Sequence, residues 1–191
     1  MTSWFTRCTD ASAKPRRMPI AGTFHGAKTR ALVSGLLLCA WCLVPIDRAA
    51  ADPFARANAA YAHGDYVRVV NLLTPLAFRG DARAQALLGF MFENGYGAPQ
   101  VYVTASDLYL QAATRGNPFG QAMLGLMYDK GHGVPQDFIL AYKWLNLAAA
   151  RASKQERDYF LRLRNAVASK MSPAQIAVGQ QLAMAWAVGL P

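Results

Sequence analysis

The chain has 191 residues, of which 53% are hydrophobic and 16% charged, with a formal net charge of +9. A charged fraction well below the ~25% of an average chain, with this apolar content, excludes an intrinsically disordered protein. The length suits one modest domain.

Residues 1–51 read as a targeting segment. Arg16, Arg17, Lys28 and Arg30 precede an apolar run from Ala31 to Ile46. That run is slightly longer than a usual signal core and shorter than the roughly 20 residues of a membrane span. Ala49-Ala50-Ala51 supplies the small residues that a signal peptidase reads, so cleavage is expected between Ala51 and Asp52. The chain is then periplasmic or secreted; the alternative is an uncleaved signal that anchors it in the inner membrane. Met18 is an alternative start that leaves a signal of ordinary length. The segment holds seven of the Lys/Arg residues and two of the Asp/Glu, so 13 basic and nine acidic residues remain beyond it. Cys8, Cys39 and Cys42 all lie within it, and the Cys39-x-x-Cys42 spacing falls inside the apolar run, where it is accidental. A cysteine-free remainder needs no disulfide, consistent with an oxidising compartment.

Residues 52–83 predict a degenerate helix–turn–helix unit turning at Gly64-Asp65. Residues 84–119 then align with 120–155 at an offset of 36, with 13 of 36 positions identical. The identities are small residues, loop breakers and core apolars, which specify packing rather than chemistry. Each unit reads as helix, loop, helix, with first helices over about 82–94 and 119–130. Leu88, Met91 and Phe92 recur at spacings of three and four, which is one helical face. Gly89 and Gly125 sit mid-helix, where glycine costs about 1 kcal/mol relative to alanine; a neighbouring helix passing close by is the expected reason. The loops Gly95–Gln100 and Gly131–Gln136 carry Gly95, Gly97 and Pro99, then Gly131, Gly133 and Pro135. Gly95 and Gly131 suit the left-handed end of a helix, and the prolines stop the helix from resuming. Asp137 is placed to cap the next helix; Val101 stands at the equivalent position, so Thr104 is expected to cap a helix that starts later. Ser153 with Glu156, and Ser172 with Gln175 and Pro173, form capping-box patterns that predict helices over about 154–169 and 173–188. Residues 156–191 thus form a C-terminal helical cap.

The pattern resembles the Sel-1-like repeat family, relatives of the tetratricopeptide repeats. The resemblance is carried by AQALLGFMFENGYGAPQ and GQAMLGLMYDKGHGVPQD, followed by Ala141-Tyr142-Lys143-Trp144 and Ala148-Ala149. It covers 84–152 strongly and 54–83 weakly, and MSPAQIAVGQQLAMAW over 171–186 resembles the ending of many bacterial members. The implied fold is all-α: a short α-solenoid of stacked antiparallel helix pairs with a C-terminal cap. A lone pair cannot bury its apolar face, so units must stack. The implied function is protein binding on the concave face.

Sequence motifs for chemistry are sparse. No nucleophile elbow, phosphate loop, paired carboxylates or metal-ligand spacing occurs, and no cofactor or metal is expected. His132 reads as an exposed loop residue. The repeat-equivalent pairs Gln85/Gln121, Phe92/Tyr128 and Glu93/Asp129 are the candidate partner-binding residues. Residues 151–170 carry six basic side chains against Glu156 and Asp158, a helix that suits an anionic surface or cell-wall polymer, or is simply solvated. Nucleic acid is not expected, because no aromatic–basic binding motif is present. The leading expectation is an exported, non-enzymatic interaction scaffold of the bacterial envelope. The alternative is a binder of envelope ligands such as peptidoglycan fragments. A third reading, β-lactamase-like hydrolysis, follows cysteine-rich members of the resembled family, whose cysteines are absent beyond residue 51.

Overall fold

A computed structural model describes residues 52–189, and residues 1–51, expected from the sequence to be a targeting segment, lie outside the described residues. Within them the chain is all-helical. The helices are α1 (Pro53–Ala62), α2 (Tyr66–Phe78), α3 (Ala82–Asn94), α4 (Tyr102–Thr114), α5 (Pro118–Lys130), α6 (Phe138–Arg151), α7 (Lys154–Ala168) and α8 (Pro173–Ala187). Each helix packs on its sequence neighbour through α7, and α3 also touches α5, so consecutive pairs stack as a solenoid. α8 breaks the order: it turns back onto α6 rather than pairing with α7.

Short polar side chains set the helix starts. Asp52, Asp65, Asp81, Asn117 and Asp137 each accept hydrogen bonds from free first-turn amides of α1, α2, α3, α5 and α6. Ser172 and Gln175 bond reciprocally at the start of α8. At α7, the Glu156 carboxylate accepts from both the amide and the hydroxyl of Ser153. α4 differs from expectation. It begins at Tyr102 with Val101 at its cap and no side-chain cap bond, so Thr104 does not start it. The preceding loop does the fastening: Gln100 Nε2 donates to the Glu93 carbonyl at 2.7 Å, as Gln136 Nε2 does to Asp129 at 2.7 Å.

The stack interlocks at two repeated places. Gly89 meets α4: a Cβ there would lie 2.9 Å from two ring carbons of Tyr109. Gly125 meets α6 likewise, 2.8 Å from Leu145 Cγ and 3.1 Å from the Ala141 carbonyl oxygen. The close approach expected of both glycines is therefore present. The second place joins one unit to the next. Gly97, at φ +73°, lies so close to the Tyr66 carbonyl that any Cβ would overlap it, and Gly133, at φ +71°, stands in the same relation to Tyr102. The residue before each glycine lays its ring on the same tyrosine: Tyr96 on Tyr66 at 4.8 Å, and His132 on Tyr102 at 4.5 Å. His132 is thus half-buried in an inter-repeat stack and not the free loop residue expected from the sequence.

Two apolar clusters form the core. Phe54, Val69, Leu73, Leu88 and Met91 anchor the N-terminal one. Tyr109, Leu124, Met127, Trp144 and Leu147, with Ala183 of α8, anchor the other. Burial of each such Leu, Met or Val contributes roughly 1.5–3 kcal/mol, so the helices persist because they stack. Alanines 105, 112, 113, 141, 148 and 149 are buried and keep α4 and α6 slim where they pack on their neighbours α3 and α5.

Candidate functional site

The six candidate residues separate by role. Gln85 and Gln121 are 1% and 0% exposed, so they are not available to a partner. Each amide reaches back to the preceding helix end: Gln85 Nε2 donates to the Ala77 carbonyl and Gln121 Nε2 to Ala113, both at 3.1 Å. Each carbonyl also accepts the amide of Gly80 or Gly116, so the glutamine ties the following helix to the turn that ends the preceding one. Gln85 is fully engaged, donating also to Gln111 Oε1 and accepting from Arg115. Gln121 Oε1 has no partner among the described residues. Leu147 stands where the first unit has Gln111, which removes an acceptor of the Nε2, and Arg151, the counterpart of Arg115, does not reach the Oε1.

Glu93 and Asp129 are half-buried and each is engaged within the fold. Glu93 accepts a 2.7 Å bond from the Tyr109 hydroxyl. Burial, then the Glu93 charge, then that bond hold the Tyr109 pKa well above its ordinary value. The second unit has Leu145 in place of Tyr109, and Asp129 instead pairs with Lys170 at 2.8 Å. Phe92 and Tyr128 are half-buried and pack against the apolar clusters. Burial first, and the Asp137 charge second, raise the Tyr128 pKa. The structure therefore does not gather the six into one open surface.

A partly exposed stripe lies beside them, although Leu87, Phe90 and Met123 also pack against the apolar clusters. Leu87 and Phe90 on α3, with Met123 and Leu126 on α5, are repeat-equivalent and only half-buried. They continue into exposed Arg83, Asn94 and Lys130. Spacings of three and four put each set on one helical face. Identity-based self-comparison passes over this stripe, because its positions keep apolar character while changing residue.

Carboxylates are spent on structure. Asp52, Asp65, Asp81 and Asp137 cap helices, and Glu93, Asp129 and Glu156 are bonded. Asp107 on α4 and Asp158 on α7 remain, on separate elements. Among the described residues no group of His, Cys, Asp and Glu is arranged to hold a metal ion. None of the described helices is long and apolar enough to cross a membrane. The Lys143 ammonium sits 4.7 Å from the Trp144 ring and 4.6 Å from that of Trp186, and its burial lowers its pKa. That cation fastens α8 to α6.

The basic helix α7 is the other polar feature. Arg164 donates to Asn146 Oδ1 at 3.1 Å and to Asn165 Oδ1 at 2.9 Å. Asn146, Ala149 and Ala150 of α6 face Arg157, Leu161 and Arg164 of α7 across a cleft of about 310 Å³.

No curated protein matches the chain. Among solved structures it is similar to a protective antigen of uropathogenic Escherichia coli that displays an SLR fold. The identity is 25% and the TM-score 0.63, over 72% of this chain and 30% of that one. It is also similar to a Sel1 repeat protein from Oxalobacter formigenes, at 27% identity and a TM-score of 0.49, over 55% of this chain and 44% of that one. The chain thus spans less than half the length of either. A Sel1 repeat profile matches residues 82–117 and 118–153. Its frame starts two residues before the self-alignment and keeps the period of 36, so α3–α4 and α5–α6 are its two units. Such repeats generally mediate protein–protein interaction. The chain thus carries two Sel1 repeats, set in a helical stack similar to that of a solved SLR fold.

Proposed function

We propose that the chain is an exported, non-enzymatic scaffold of the bacterial envelope that holds a partner protein on the face lined by α3 and α5. The observation that carries this reading is the half-open apolar stripe at repeat-equivalent positions: Leu87, Phe90, Met123 and Leu126, flanked by Arg83, Asn94 and Lys130. Such a stripe, apolar in the middle and polar at its ends, matches the build of a peptide-binding groove. The engagement of the carboxylates in capping and packing supports a binding role over catalysis. The targeting segment supports export, with a partner of the cell envelope.

Affinity capture from an envelope fraction tests the scaffold. A partner should be retained by the wild-type chain and lost from the Leu87→Ser/Met123→Ser variant, provided that circular dichroism shows the variant still helical. Equal capture by the folded variant removes this face as the binding surface. N-terminal sequencing tests export: the exported chain should begin at Asp52, and a start at Met1 in the exported pool overturns the cleavage.

A further inference from the structure

The α6–α7 cleft has features of an anion site that the stripe lacks. Arg157 and Arg164 are seven residues apart on α7, two turns along one face, so their backbone positions differ by about 10 Å along the axis. Both line the cleft of about 310 Å³, whose other walls are Asn146, Ala149, Ala150 and Leu161. The two alanines leave the room, and no carboxylate lines it. Arg164 is held in place, but only by neutral acceptors, the amide oxygens of Asn146 and Asn165. Its ring neighbour, Tyr142, lies 5.9 Å away. Three of its five N–H groups are engaged by those amides, and its charge is not neutralised by an ion pair. Arg157 is exposed, and its guanidinium makes no hydrogen bond or ion pair with another described residue. Of the nearby acids, Glu156 is held at Ser153 and Asp129 at Lys170, while Asp158, next to Arg157 on α7, is exposed and does not line the cleft.

We infer that this cleft binds an acidic segment of a partner protein, seating two carboxylates on Arg157 and Arg164. Two acidic side chains three residues apart on a polyproline-II segment, which makes one turn every three residues, share one face about 9 Å apart, close to the axial spacing of the two arginines. An apolar residue between them would rest on Leu161 and Ala149. Guanidinium is suited to this task because its planar fork takes a carboxylate in two parallel bonds. The inference rests on the protein-binding reading above but uses none of its stripe residues.

The test is fluorescence anisotropy of the full chain with a labelled peptide, Ser-Glu-Leu-Ala-Glu-Ser, against the same peptide with Gln for both Glu. The acidic peptide should bind and the Gln peptide should not. Arg157→Ala, which breaks no internal bond, should weaken binding about tenfold at 0.15 M salt, and Arg157→Ala/Arg164→Ala should abolish it. Lys154→Ala/Arg162→Ala removes the same net charge from the same helix outside the cleft and should change binding less than about twofold. Equal weakening by both double variants shows a diffuse field and overturns the site. Phosphatidylglycerol vesicles or inorganic phosphate that bind through Arg157 more tightly than the peptide overturn its assignment to a protein partner. Leu87→Ser/Met123→Ser should leave peptide affinity unchanged. If the peptide fails to bind while that stripe still captures an envelope partner, this inference falls and the scaffold reading stands.

Discussion

Residues that look interchangeable across the two repeats carry different loads. Gln85 has three side-chain bonds and Gln121 one, so Gln85→Leu should destabilise more than Gln121→Leu. The expected gap is about 1–2 kcal/mol in the unfolding free energy from urea titration, because Gln85 loses its bonds to Gln111 and Arg115 as well as the one to Ala77. In the sequence both stand only as a repeat-equivalent pair, a candidate for partner contact that their burial removes. What the sequence does show is that glutamine persists at one register of the repeat between buried Ala84 and Ala86. The glycines are the reverse case, legible because a mid-helix glycine has a known cost. Gly125→Ala should lower stability by about 1–3 kcal/mol despite better helix propensity, since the new methyl meets the Ala141 backbone carbonyl, which cannot swing aside. Tyr109 gives a pH signature. Its pKa in the fold lies above the ordinary value near 10, so its stabilising effect is complete below that pH and is lost as pH rises through the folded value. Tyr109→Phe, which removes the bond to Glu93, should cost about 1–2 kcal/mol at neutral pH. Denaturation of the two proteins at stepped pH should show that gap narrowing above pH ~10; a constant gap would mean the hydroxyl does not titrate in the folded chain's stability.

At the scale of elements, α8 replaces the loop of a missing next repeat. Gly97 and Gly133 place a loop against Tyr66 and Tyr102 at the start of α2 and α4. Phe138 is the equivalent aromatic on α6, and there the chain instead brings Lys170, 5.5 Å from its ring, and then α8. Gly179 is the contact glycine of α8: a Cβ would lie 2.9 Å from the Tyr142 ring and 3.4 Å from the Ile139 carbonyl oxygen. Trp186 lies edge-on to Trp144 at 5.2 Å, and Lys143 spans both rings. Gly179→Leu should therefore lift α8 from α6. Beyond residue 51 the only tryptophans are Trp144 and Trp186, so the lift should appear as a red shift of tryptophan emission in a chain lacking the targeting segment, with far-ultraviolet dichroism nearly unchanged. Helix limits were legible because capping acids, loop glycines and prolines act locally. The start of α4 was missed because Val101 gives no local signal and Gln100 secures the loop by reaching back to Glu93. The return of α8 to α6 was missed for a different reason: its apolar residues surround the helix, and a pattern without one face names no partner.

Across the whole molecule, a stack of near-identical interfaces should tolerate loss of one full period. Deleting residues 84–119 joins Arg83 to Gly120 and removes one period, leaving every junction with an equivalent partner. Asp81 would cap α5 in place of Asn117, its counterpart 36 residues on. Gln121 Nε2 would donate to the Ala77 carbonyl, as Gln85 does now. Gly133 and His132 would sit on Tyr66, where Gly97 and Tyr96 sit now. Because stability in such arrays is a sum of unit and nearest-neighbour terms, the shortened chain should fold, with lower stability and one cooperative transition. Its urea m-value should fall by about a quarter, in proportion to the surface no longer buried. Deleting 18 residues, 84–101, supplies the sharper contrast, because it removes α3 with its loop and leaves α4 where α2 needs a partner bearing Gln85 and Gly97. That chain should lose its cooperative transition. If the two deletions behave alike, the 36-residue period is not the unit in which this molecule stores its stability, and the repeat seen in the sequence is a record of duplication with no continuing energetic role.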